Sequence, residues 1–468
     1  SPVAESASAD IRAAGGRAAR DTAATRAAFE DVQSLTSKLS DAEKIELNDY
    51  IENRSKGYDI PDEALKPVAD AQREAVLQRK AKIEALDSTS QAQFREDYLT
   101  HMWKDPAAAE RVFNGPAKEG SGRFLKERTI PTLKEGLARG LEPVTLDPLE
   151  MTQRYVDTMD RFIATNQVID KALKEGNVKH FTPGEQPPGW VEVNTRRGNV
   201  NPLYAPADWA RVYNNFVDRG IHRNPDWGKV YDATRNTSNA VTSLELGLSG
   251  FHAATMAQEA MVNSVAKGIG ELASGRPLSA VKSVLLAPAK PLTNVLKGRQ
   301  LEAVYLNKAK GTPLMNQITD LLTEAGGRGK GARHALDYRY SQAGSYWDSF
   351  KRGSVLAEIK QAGSEIRARP IAAPIKILAQ QVGRTMSTVA KPLFEYAIPK
   401  LKNGAFYDNM ASWLEANPMA DHAMQVKAAR KIWDSIDNRF GEMVQDNIFW
   451  NKTLKQSLQV AMRSYSWT

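Results

Sequence analysis

Apolar residues along most of the chain recur at helical rather than strand spacing. In "SDAEKIELNDYIENR", Ser40 and Glu43 have capping-box spacing, and Leu47, Tyr50 and Ile51 follow on one stripe. "KGYDIPDEAL" reads as a turn into a further helix over about residues 61–86. In "FREDYLTHMWKDP", Phe94, Tyr98 and Met102 stand at i, i+4 and i+8, one face of a helix. The clearest pattern is "DPLEMTQRYVDTMDRFIATNQVIDKALKEGN". There Tyr155, Met159, Phe162 and Ile163 share a face, Val168, Ile169 and Leu173 extend the apolar positions, and Gly176 closes the helix. Residues 1–57 are rich in the helix formers Ala, Arg and Glu, with a break or kink expected at Gly15–Gly16.

Between these helices the period changes to two. "VKHFTPGEQPPGWVEVN" places Val178, His180, Trp190, Val191 and Val193 in alternation among turn residues, which predicts a hairpin or β-ribbon. "LYAPADWARVYNNFVDRG" returns to helix, with Pro206 near its start. No βαβ alternation follows. The pattern predicts an all-α fold, an elongated multi-helix assembly with a small β-hairpin insert near residues 178–194.

Further on, "NAVTSLELGLSGFHAATMAQEAMVNSVAKGIGELASG" (Asn239–Gly275) is a long quiet helix with four charged residues: Glu245, Glu259, Lys267 and Glu271. Its window from Leu244 to Asn263 carries Glu245, His252, Gln258 and Glu259, so it reads as a central packing element rather than a membrane span. Its small residues permit close neighbours. After it, "RPLSAVKSVLLAPAKPLTNVLKGRQLEAVYLNKAKG" is apolar and basic, and "PLMNQITDLLTEAGG" is a short amphipathic helix. These shifts divide the chain into an N-terminal helical region (1–90), a helical domain with the β insert (91–235), an apolar small-residue segment (236–300) and a basic C-terminal helical domain (301–468). The first residue is Ser1 and the last four include Tyr465 and Trp467. Both ends read as cuts, with the chain continuing beyond 468.

Charge sharpens this division. The chain carries a net +8, but residues 1–240 sum to −3 and residues 241–468 to +11. The second half is the candidate face for phosphates or an anionic membrane. Lys282, Lys290, Lys297 and Arg299 lie among Leu and Val, and Arg328, Lys330 and Arg333 form a basic loop. These seven are the candidate residues for binding DNA or lipid.

Chemistry is scarce beside that surface. No cysteine is present, which excludes disulfides, thiolate metal sites and cysteine nucleophiles. The six histidines, His101, His180, His222, His252, His334 and His422, form neither HExxH nor HxxxH, against a zinc hydrolase. "GGRGKGARH" resembles a phosphate loop but has Ala332 where Walker spacing needs lysine. Asp434, Asp437, Glu442 and Asp446 could hold a metal, yet Arg430, Lys431 and Arg439 interleave with them, so salt bridging is the simpler reading. The series Trp433, Phe440, Phe449, Trp450, Tyr465 and Trp467 stands at core-like helical spacing. No catalytic residue, cofactor site or metal site is predicted, and the chain reads as a non-enzyme.

Certain blocks carry a resemblance. "ERTIPTLKEGLARGLEPVTLDPLEMTQRYVDTMDRFIA", "SLELGLSGFHAATM", "PLFEYAIPKLKNGAFYDNMA" and "DSIDNRFGEMVQDNIFWNKTLKQSLQVAMRSYSW" occur in order over roughly residues 98–467. They are similar to the large polyvalent protein-associated helical regions of giant proteins from tailed phages and mobile elements. Residues 1–90 carry no such block. The resemblance implies an internal virion protein, packaged in the particle and ejected with the genome. Such a protein would act non-enzymatically, by self-assembly near the portal and tail. It would contact DNA non-specifically and meet the host envelope. It further implies a homo-oligomer, portal, tail or other ejection proteins as partners, and transfer from the virion interior to the host envelope or cytoplasm. The alternative is an intracellular accessory or scaffold module that protects or processes incoming DNA. No catalytic residue comes with the resemblance.

Overall fold

The computed structural model describes residues 1–86, 99, 101, 103–104, 132–195, 202–217, 290–327, 329 and 398–439. The chain divides into two compact units: described residues up to Val217 belong to the first, those from 290 onward to the second. Both are helical, and the first adds a small three-stranded sheet. Asn239–Gly275, the Phe94/Tyr98/Met102 face and the C-terminal aromatics from Phe440 onward lie outside the described residues.

In the first unit, α1 (Pro2–Thr36) runs through Gly15 and Gly16 as one helix, contrary to the expected break. Two glycines cost a helix about 2 kcal/mol relative to alanine. The alanine-rich flanks and packing on Gly16, which is buried, offset that cost. Ala4, Ala7, Ile11, Ala14 and Ala18 are buried at alternating spacings of three and four, and Ala19, Ala23 and Ala27 widen the stripe. Next, α2 (Asp41–Asn53) starts at Ser40 with the expected capping box, Ser40 and Glu43 bonding reciprocally. Two 3₁₀ turns (Arg54–Lys56 and Glu63–Leu65) lead into α3 (Lys66–Glu84). The short α4 (Leu133–Ala138) is capped by Thr132. Its Gly136 lies under the Trp103 ring, where a Cβ would stand 2.2 Å from the indole.

The centre of this unit is α5 (Pro148–Lys174). Asp147 caps it, accepting from the Leu149 and Glu150 amides. Its end is the expected one: Gly176 has φ 75°, and the Asn177 amide reaches back to the Ala172 carbonyl. Rungs pair Asp10 with Lys171, Arg17 with Gln167, Thr22 with Asp160, Arg26 with Asp157 and Thr36 with Asp147, so α1 and α5 are antiparallel. A single apolar cluster joins Phe29 of α1, Leu47 and Ile51 of α2, Val76 and Ile83 of α3, and Tyr155, Met159 and Phe162 of α5. Helices on both sides of position 90 share this core.

The β insert is a sheet of order β1-β3-β2, formed by β1 (Lys179–His180), β2 (Trp190–Glu192) and β3 (Leu203–Pro206), all antiparallel neighbours. β1 and β2 were expected to pair with each other, but β3 lies between them, aligning Lys179 and Glu192 both with Tyr204. β3 escapes a period-two reading because Leu203, Tyr204 and Ala205 are all buried and run directly into α6 (Ala207–Val217). In α6, Trp209 stacks on Tyr213 at 5.2 Å, and the Tyr213 hydroxyl donates to the Thr165 carbonyl of α5.

The second unit is built on α7 (Lys290–Tyr305) and α9 (Ile398–Ala416), which run antiparallel with backbones in contact. A Cβ on Gly298 would stand 1.9 Å from the Lys400 carbonyl oxygen, and one on Gly404 2.0 Å from that of Asn294. Only glycine fits either position. α7 also runs through the boundary expected at 300, so that division falls inside a helix. The other described helices of the unit are α8 (Pro313–Glu324), capped by Thr312, and α10 (His422–Arg439). They meet through Gln317–Gln425 and Glu324–His422. The Phe406 and Trp433 rings pack edge-on at 5.7 Å between α9 and α10.

Candidate functional site

Of the seven basic residues expected on an anion-binding surface, the structure places the side chains of two. Lys297 is half-buried on α7. Its ammonium pairs with the Asp408 carboxylate of α9 and lies 5.6 Å above the Tyr407 ring. That cation holds two helices together, a role the sequence did not signal. Arg299 is exposed. Two residues apart on a helix, the pair is separated by about 200° and does not share a face. Lys290 begins α7, with its side chain outside the described residues, as are Lys282, Arg328, Lys330 and Arg333.

Lys297 also lines an open groove of about 450 Å³ with Leu314, Tyr407, Asp408, Ser412, Leu414 and Glu415. The Ser412 hydroxyl donates to the Asp408 carbonyl of its own helix. Deeper in this unit, Lys402 pairs with Asp437 at 2.7 Å and lies 5.7 Å above Trp433. The carboxylate weighed as a metal ligand is thus part of a salt bridge, and Trp433 is buried in a core. Among the described residues no cluster of three metal-ligating side chains occurs, and no described helix is long and apolar enough to cross a membrane.

The densest buried chemistry lies in the first unit. Arg79 of α3, 1% exposed, donates from Nε and Nη2 to the two Asp160 oxygens at 2.9 and 2.8 Å, and from Nη1 to the Thr25 hydroxyl. The Thr22 hydroxyl donates to Asp160 as well. Burial opposes the Arg79 charge, but the adjoining Asp160 carboxylate outweighs it and holds the guanidinium above its usual range. One turn back, Asp157 accepts from the Gln153 amide at 2.6 Å and has Arg26 at 4.0 Å. Burial pushes this carboxyl up to about 6; Arg26 and the Gln153 bond pull it down, and the neighbouring Asp160 charge adds to the rise.

A second buried pair joins three segments. His101 Nε2 meets Glu52 Oε1, while Glu52 Oε2 accepts from the Leu133 amide at the start of α4. The side chains are 4% and 0% exposed. With both carboxylate oxygens engaged and no access from solvent, the pair fastens α2 and α4 to the segment bearing His101.

The sequence reading missed Arg79, Asp157, Asp160, Glu52 and the role of His101. One signal was available: Asp157 and Asp160 interrupt the apolar stripe between Val156 and Ile163, where a solvated carboxylate does not belong. Their partners lie 81 positions or more away in three of the contacts, beyond the reach of local spacing. No protein-family model, curated protein or solved structure matches the chain.

Proposed function

We propose that the chain is a non-enzymatic structural region of a large phage protein, packaged in the virion and ejected with the genome. It acts by self-assembly near the portal and tail and by contact with DNA and the host envelope. One observation carries the reading: two of the four sequence blocks that resemble the phage proteins contribute to helix interfaces among the described residues. "DPLEMTQRYVDTMDRFIA" supplies the cap, much of the buried face and the aspartates Asp157 and Asp160 of α5. "PLFEYAIPKLKNGAFYDNMA" supplies Lys402, Asn403, Gly404 and Phe406, which fit α9 against its neighbours. Such words describe how helices fit, as expected of a part that assembles rather than reacts. The +11 charge of residues 241–468 supports contact with phosphates.

Quantitative mass spectrometry of purified particles tests this. The expected result is a fixed small copy number per particle, lost from particles that have emptied their DNA. Absence from particles, with expression confined to infected cells, would overturn it and favour an intracellular module that protects incoming DNA.

A further inference from the structure

We propose that Asp157, Gln153 and Arg26 form a proton-operated latch between α5 and α1, which fastens α1 when the carboxyl is protonated and loosens it on ionisation. The inference stands apart from any role in a virion.

Positive charge is scarce around the buried carboxylates of α5. Two carboxylates, Asp157 and Asp160, lie one turn apart on the buried face of α5. From α3, Arg79 is committed to both oxygens of Asp160, and Lys82 is committed to Asp21 of α1. From α1, Thr22 donates to Asp160, and Arg26 is the cation left for Asp157. Arg26 is 41% exposed and 4.0 Å away, an ion contact longer than a hydrogen bond. Arg161, on α5 itself, also acts on Asp157. An ionised Asp157 is therefore incompletely compensated while α1 covers it.

Protonation removes that penalty and supplies a donor. Gln153 Oε1 is buried without a hydrogen-bond partner, beside the amide nitrogen that now serves Asp157. A half-turn of the amide lets the Asp157 hydroxyl donate to that oxygen, so the neutral pair keeps a hydrogen bond without a buried charge. The direction of the effect follows from linkage. The carboxyl sits at about 6 in the folded protein against 3.8 in the open chain. Its contribution to holding α1 is fully present below 3.8 and is lost as the pH rises through about 6. Between pH 4.5 and 7.5 the opening constant should rise roughly 25-fold.

Native-state hydrogen exchange on the full chain reads this directly, through peptides of α1 corrected for intrinsic exchange rates. In the parent protein the α1 opening constant should rise roughly 25-fold over that range, while α8 and α10 peptides provide a reference. Asp157→Asn keeps the size and the accepting oxygen, and should remove most of that rise. Arg26→Gln, a change at a half-exposed side chain, should move the transition to higher pH. A flat α1 profile in the parent protein overturns the latch. So does an unchanged profile in Asp157→Asn, or an unmoved transition in Arg26→Gln. Should Asp157→Asn fail to fold, the parent and Arg26→Gln profiles still decide.

Discussion

Replacing Arg79 by methionine should destabilise the first unit by about 3–5 kcal/mol, the usual cost of removing one partner from a buried ion pair. Methionine fills most of the vacated volume, so little of this is a cavity effect. The loss arises at Asp160, which is 1% exposed and would keep only the Thr22 hydroxyl as donor. The Thr25 hydroxyl loses its partner too. Domains of this size are stable by roughly 5–15 kcal/mol, so the change should remove at least about a fifth of the margin. Replacing both partners, Arg79→Met with Asp160→Leu, should recover most of the loss, because no charge is then left stranded. Hydrogen exchange of α5 amides in increasing urea would give the opening free energy for each variant. A cost below about 1 kcal/mol for Arg79→Met, or a double variant no better than the single, would refute the reasoning.

Further outcomes follow from other contacts. Gly298→Ala should force α7 and α9 apart and destabilise the second unit by about 3 kcal/mol, with exchange in α1–α6 unchanged; a thermal scan combined with exchange checks this. Lys297→Gln should destabilise the same unit by no more than about 1 kcal/mol, since the pair is partly solvated. Arg299→Gln should leave stability within about 0.5 kcal/mol yet weaken binding to DNA or anionic vesicles, measured by titration at two salt concentrations. Unchanged binding would remove Arg299 from the proposed surface. Glu52→Gln should destabilise the first unit by about 1–3 kcal/mol, because its interactions with His101 and the Leu133 amide lose the carboxylate charge.

Local signals in the sequence marked several of the described helices and their ends. Ser40–Glu43 and Gly176 mark boundaries through chemistry confined to a few residues, and both act as read. Gly15–Gly16 misled because propensity is a weak term once a helix is packed on several sides. β3 was lost because a strand buried along its length shows no alternation. Gly298 and Gly404 were not distinguished from other small residues: the need for glycine there comes from Lys400 and Asn294, each about 100 positions away. The same distance hid the pairing of Lys297 with Asp408, so a residue read as binding DNA or lipid helps join two helices.

The row of alanines on α1 has a consequence for uniqueness. A smooth, nearly repeating stripe fits its groove almost as well after sliding by two turns. The polar rungs do not. Moved seven places one way, Arg17 would meet Lys171 and Phe29 would meet Asp160; moved the other way, Gly15 and Ala19 would face the two buried aspartates with nothing to offer them. The rungs thus act as the teeth of a key in an otherwise featureless slot. Stripped of them, α1 would remain helical and covered but would have several nearly equivalent places to rest.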